Sequence, residues 1–157
     1  MKNISIFVDV QNIYYTTKQH YSKNFNYNKF WKIVTKNRNL ISAFAYTISK
    51  GDRKQTEFQN ILRGIGFNVK LKPFIKRKDG SAKGDWDVGI AIDIIEYSSR
   101  SDLIVLASGD GDFDLLLDYI KKKYKTESEV FGVRSLTSNS LIKNATTFNP
   151  IDESFLI

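Results

Sequence analysis

Five aspartates stand in three short segments: Phe7-Val-Asp9-Val-Gln-Asn12, Lys83-Gly-Asp85-Trp-Asp87-Val88 and Ser108-Gly-Asp110-Gly-Asp112-Phe113. The first and third follow directly on the apolar runs Ile4–Val8 and Leu103–Ala107, which read as buried strands. Carboxylates at the ends of neighbouring parallel strands converge on one cleft, where they repel unless protons or cations neutralise them. Several oxygen donors in one place is the ligand set that Mg²⁺ or Mn²⁺ prefers. The pattern therefore predicts metal-dependent phosphate chemistry.

Each motif also carries a plainer reading. Asp9 ends a strand, and Asn12 follows where a helix or loop begins, so the pair supplies two oxygen ligands on one lip or a cap for the next helix. A haloacid-dehalogenase phosphatase wants a second Asp two residues after the first, and that position here is Gln11. Glycines 109 and 111 let the backbone turn without side-chain crowding and bring Asp110 and Asp112 to the cleft. Asp112 also suits the N-cap of a helix over Phe113–Tyr124, while Asp114 and Asp118 read as ordinary helix residues. Asp85 and Asp87 open an Ile-rich helix. Asp93 lies about 120° round that helix from Asp87, so it faces either the cleft or a narrow polar stripe.

The elements that must position these groups alternate. Strands are expected at Ile4–Val8, Leu40–Thr47, Asn68–Phe74, Leu103–Ala107, Val130–Val133 and around Phe148. Helices are expected at Tyr27–Thr35, Arg53–Ile65, Trp86–Tyr97, Phe113–Tyr124 and Ser138–Lys143, with 10–26 a polar, Tyr- and Asn-rich connection. Such alternation implies a parallel sheet with helices on both faces, binding ligands at the carboxyl ends of its strands. The proline at 73 points to an edge strand. A chain of 157 residues reads as a single domain, 1–157, with no internal repeat or linker.

Composition narrows the chemistry further. Cysteine is absent and histidine occurs once, at His20, so disulfides, thiolate catalysis and His-rich metal sites are excluded. The apolar stretch near the start is too short for a signal-peptide core, and nothing is long enough to cross a bilayer. A cytoplasmic protein with no membrane association is expected. Net charge is +7, unevenly spread: residues 84–120 hold nine acids and one base, the remainder 23 bases and eight acids. An acidic centre in a basic body suits a polyanionic substrate. Lys76, Arg77, Lys78 and Lys83, with Lys70 and Lys72 nearby, are the candidate phosphate-binding cations. Tyr14, Tyr15, Tyr21, Phe25 and Tyr27 either stack on unpaired bases or pack the core.

The three motifs, extended through Val88-Gly-Ile-Ala-Ile-Asp93, resemble those of NYN-domain proteins, most nearly the bacterial LabA-like group, in order and spacing over nearly the whole chain. That family sits among the PIN-like nucleases. The resemblance implies a Rossmann-like, three-layer α/β/α fold with a mostly parallel sheet, and metal-dependent hydrolysis of RNA phosphodiester bonds. Carried over, Asp9, Asp87, Asp110 and Asp112 are the expected catalytic and metal-binding residues. Asp93 is a further ligand, and Asn12, Ser108 and Asp85 support them, with one or two Mg²⁺ or Mn²⁺ ions activating water. One departure is Thr146 after Leu141-Ile-Lys-Asn-Ala145, where family members often have Asp. The rival readings are a silent RNA- or protein-binding module on a nuclease fold, and a metal-dependent phosphomonoesterase or nucleotide hydrolase. RNA is the expected partner, and a homodimer is compatible with the sequence.

Overall fold

Along β1 (Asn3–Asp9), Ile4, Ile6 and Val8 join the core on one side of the sheet and Phe7 joins the core on the other. A strand apolar on both sides belongs at the centre of a parallel sheet. The computed structural model, which describes residues 1–73, 75–76, 82–83 and 85–157 (side chains for 1–72 and 85–157), places it there. The main sheet has six strands in the order β3-β2-β1-β6-β7-β8. Beyond β1 these are β2 (Asn39–Ser49), β3 (Asn68–Pro73), β6 (Leu103–Ala107), β7 (Glu127–Gly132) and β8 (Thr147–Pro150). Every pairing is parallel. The architecture is a three-layer α/β/α sandwich of the Rossmann-like type. β3 forms one edge, as its proline suggests.

Helices α1 (Val10–Tyr21), α2 (Tyr27–Thr35) and α3 (Arg53–Ile65) cover one face, where Ile13, Phe30 and Leu62 are fully buried. Helices α4 (Asp87–Ser98), α5 (Asp114–Tyr124) and α6 (Asn139–Asn144) cover the other, with Ile90, Ile94, Ile120 and Leu141 equally buried. The chain adds β2 and β3 on one side of β1, then crosses to add β6 and the rest on the other. The point where the order reverses, between β1 and β6, leaves a crevice at the carboxyl ends of those strands. Asp9 and Asp110 are delivered to it.

Two expectations change. The polar connection after β1 is a helix of 12 residues, α1. Its inward face is only Val10, Ile13 and Thr17, and Thr17 meets burial by donating its hydroxyl to the Ile13 carbonyl at 2.8 Å. With two apolar residues on that face, helical periodicity barely registers. The expected loop over 75–84 contains two short antiparallel strands, β4 (Ile75–Lys76) and β5 (Ala82–Lys83).

Candidate active site

Asp9 is buried, 8% exposed, at the end of β1. One carboxylate oxygen caps α1 through a long contact from the Asn12 N–H, 3.4 Å. The other accepts the Ser108 hydroxyl at 3.1 Å. Ser108, just past β6, also accepts the Asp110 N–H on its Oγ at 3.2 Å. Asn12 Oδ1 accepts the Gly109 N–H at 2.9 Å. These contacts lace the end of β1 to the end of β6. Asp110 then caps the turn that follows, its Oδ1 accepting the Asp112 N–H at 2.9 Å.

Asp87 comes from the opposite lip, as the first residue of α4. The start of that helix is tied to the sheet by Trp86, whose indole N–H donates to the Thr47 carbonyl at 2.7 Å. The Asp85 carboxylate accepts the Asp87 N–H at 3.4 Å. The outcome is convergence: Asp9, Asp87 and Asp110 each offer an oxygen within 4.8 Å of the other two. They line a cavity of about 220 Å³ together with Gln11, Asn12, Tyr15, Thr16 and Asp85.

None of the ion pairs among the described residues involves this trio. Burial and crowding therefore make two of its members, Asp9 and Asp87, harder to ionise. Asp9 is pushed up to about 6, chiefly by desolvation, with the Asp110 and Asp85 charges adding and the bonds from Asn12 and Ser108 opposing. Asp87 is pushed up to about 8 by desolvation, a hydrogen bond shared with Asp110, and the charges of Asp110, Asp85 and Asp9. Three hard oxygen donors, unpaired with any cationic side chain among the described residues, fit a divalent ion of the Mg²⁺ or Mn²⁺ type.

The remaining expected site residues divide. Asn12 and Ser108, the expected supporting residues, tie the two strand ends together, Asn12 by accepting the Gly109 N–H. Asp85 lines the cavity. Asp112 is exposed and stands outside the converging trio; it does not cap α5, which has no side-chain cap, and Asp110 caps the 3-10 turn Gly111–Phe113 ahead of that helix. Asp93 also stands outside. Its Oδ2 accepts the Tyr46 hydroxyl at 2.7 Å and pairs with the Lys70 ammonium at 2.6 Å. Its polar stripe faces the sheet edge, away from the cleft, and that pairing also withdraws Lys70 from the phosphate-binding set. Lys72 lies over the Trp86 ring, 5.3 Å from its centroid. Arg77, Lys78 and the side chains of Lys76 and Lys83 lie outside the described residues.

The aromatics split as well. Phe25 and Tyr27 are core, and Tyr21 packs against it, donating its hydroxyl to the Ile151 carbonyl at 2.9 Å. Tyr14 and Tyr15 remain 52% and 54% exposed. Gln11, Tyr15 and Thr16 line the cavity as well, though none was expected at the metal site; recognising α1, with Asp9 as its cap, would have placed them on the turns beside the aspartate. Replacing Asn12 by alanine strands the buried Gly109 N–H and should cost about 1–3 kcal/mol, with a concomitant loss of activity as Asp110 loses its support. Thermal melts and turnover of the variant check both.

The model of the NYN domain family matches residues 3–152. The chain is 31% identical over 113 residues to the low amplitude and bright protein LabA of Synechococcus elongatus, an alignment covering 68% of this chain and 60% of LabA. It thus spans about three-fifths of the length of that relative. A crystal structure of a protein of unknown function from Vibrio parahaemolyticus is 51% identical. It superposes with a TM-score of 0.95 over 99% of this chain and 96% of that one.

Proposed function

The chain belongs to the NYN domain family, and from that premise we propose that it is a metal-dependent ribonuclease hydrolysing RNA phosphodiester bonds at Asp9, Asp87 and Asp110. The observation that carries the proposal is the approach of three carboxylate oxygens within 4.8 Å at the topological switch point, with none of them in an ion pair among the described residues. A basic chain, net +7, around that acidic centre favours a polyanion over a small neutral substrate. Bound there, Mg²⁺ or Mn²⁺ supplies a water of lowered pKa and offsets charge on the phosphate. The chain's own part is placement. Ser108 holds the Asp9 oxygen facing β6, the Asp110 cap fixes that side chain's rotamer, and Trp86 anchors the helix that presents Asp87.

The test is cleavage of labelled single-stranded and hairpin RNA with Mn²⁺, Mg²⁺ or EDTA. Cutting that EDTA stops is expected. RNA bound in a salt-sensitive way yet never cut, with either metal, would move the protein to the binding-module reading.

The raised carboxylates give a pH signature. In the metal-free protein Asp9 and Asp87 bind protons more tightly folded than unfolded, where carboxylates titrate near 4. Their contribution to stability is therefore greatest at low pH and is lost as pH rises through about 6 and about 8. A cation must displace those protons, so its affinity rises over the same interval. Melting curves with and without Mn²⁺ should show a metal-induced rise in Tm that is small at acidic pH and large at alkaline pH. An equal rise at both would contradict an ion held by these residues.

A further inference from the structure

Next to the aspartate cleft lies a second cavity, of about 850 Å³, between α1, residues 24–28 and α3, floored by Thr47 and Ile48 at the end of β2. Its volume falls within the range of about 300–1,000 Å³ usual for small-ligand sites. Gln11 and Tyr15 line both cavities. The groove is therefore continuous with the aspartate cleft.

The groove's chemistry is mixed in a particular way. Tyr14 and Tyr15, about half exposed, meet edge to face with ring centroids 5.5 Å apart, and Phe58 lies across from them. Side-chain amides from the 24–28 segment and from α3 also line the groove, as do Arg53 and Lys54. Its acid, Asp52, caps α3 by accepting the Gln55 N–H at 2.8 Å. On the floor, the backbone carbonyl of Thr47 holds Trp86, at the entry to the helix that presents Asp87.

We infer that this groove seats unpaired nucleotides of the RNA strand beside the phosphate held at Asp9, Asp87 and Asp110, with Tyr14 and Tyr15 stacking on bases. The inference rests on the nuclease reading of the cleft and adds strand selectivity to it. A nucleotide is the ligand that combines a flat π-face, polar edges and a negative backbone, matching rings, amides and cations in turn. A duplex keeps its bases paired and stacked and has no face to offer the groove.

Binding is measured by fluorescence anisotropy in the Asp110→Asn background, which keeps the RNA intact. The probes are an unstructured single strand of about ten nucleotides, within the usual range of single-strand sites, and the same strand in a duplex. The single strand should bind more tightly than the duplex. Replacing both Tyr14 and Tyr15 by alanine should weaken single-strand binding roughly 10- to 100-fold and duplex binding less. Single-strand binding as tight in the folded double variant as in its parent overturns the inference, as does a parent that prefers the duplex or binds neither probe. Tyrosine-dependent binding by a wild type that never cuts RNA sinks the nuclease reading alone. Metal-dependent cutting with tyrosine-independent binding sinks the groove alone.

Discussion

Asp110→Asn should leave a protein that cuts RNA at least about 10³-fold more slowly than wild type and, in EDTA, melts about 2–4 °C higher. The two effects share one cause. Asp110 offers an oxygen within 4.8 Å of oxygens on Asp9 and Asp87, and its charge is among the causes that raise both neighbours. Neutralising it removes one of three anionic ligands, and loss of a single preorganised charged group at a reacting centre typically costs about 10²–10³ in rate, with metal affinity falling besides. The same change relieves like-charge repulsion in the metal-free protein. About 1 kcal/mol so gained corresponds to about 2–4 °C in a protein of this size. Asparagine is the right replacement because its Oδ1 can still accept the Asp112 N–H, so the turn keeps its cap. Differential scanning fluorimetry in EDTA and in Mn²⁺, beside the cleavage assay, separates the terms. Wild-type cutting by the folded variant would end the catalytic assignment of this residue, and a lower Tm in EDTA would contradict the electrostatic account.

Gly109→Ala should be nearly as damaging to activity although it touches no carboxylate. A Cβ at this position would stand 2.7 Å from the Leu136 carbonyl oxygen and 3.1 Å and 3.2 Å from the Thr137 Oγ1 and Cα. Two of those three atoms are backbone, which cannot swing aside as a flexible side chain does. The residue is also held from both sides. Its N–H donates to Asn12 and its carbonyl accepts the Ser138 N–H at 3.1 Å. The added methyl must therefore push the 108–110 loop, and Asp110 with it, out of register with Asp9. Overpacking of this kind costs about 1–3 kcal/mol, and a displacement of about 1 Å in a reacting geometry costs on the order of 10²-fold in rate. Melting and cleavage assays of the variant, with Gly64→Ala as a control where a Cβ meets nothing within 4 Å, decide it. Wild-type activity in Gly109→Ala would show that the loop tolerates the shift.

The glycine argument illustrates what a sequence conveys and what it withholds. Glycines 109 and 111 were expected to let the backbone turn sharply without side-chain crowding. Neither has positive φ among the described residues; the positive-φ glycines are Gly51 and Gly66. Space is the constraint, and the atoms that occupy it belong to Leu136, Thr137 and Ser138, some 25 residues further along. Similarly, Asp93 reads as a charge in an apolar helix with two outcomes open, and its fate is decided by Tyr46 on β2 and Lys70 on β3. Neither partner is near it in sequence. Helix α1 was hidden because the buried face that defines it carries a threonine whose hydroxyl is satisfied within the helix.

By itself the sequence determined the alternating parallel architecture, the place of β1 and β6 at its centre, and the three motifs whose aspartates meet. Those features depend on short-range pattern: apolar runs long enough for buried strands, amphipathic spacing in α2 and α3, and carboxylates placed at strand ends. Only the tertiary structure decided which acids join the trio and which are neutralised elsewhere. It alone joined the aspartate cleft to the tyrosine-lined groove, whose walls come from α1, 24–28 and α3. The physical reason is the range of the forces involved. Backbone hydrogen bonding and hydrophobic periodicity act within a few residues and are legible in order. The state of a charge or a buried hydroxyl is set by whatever lies within a few ångströms, and that neighbourhood exists only after the strands have crossed and paired.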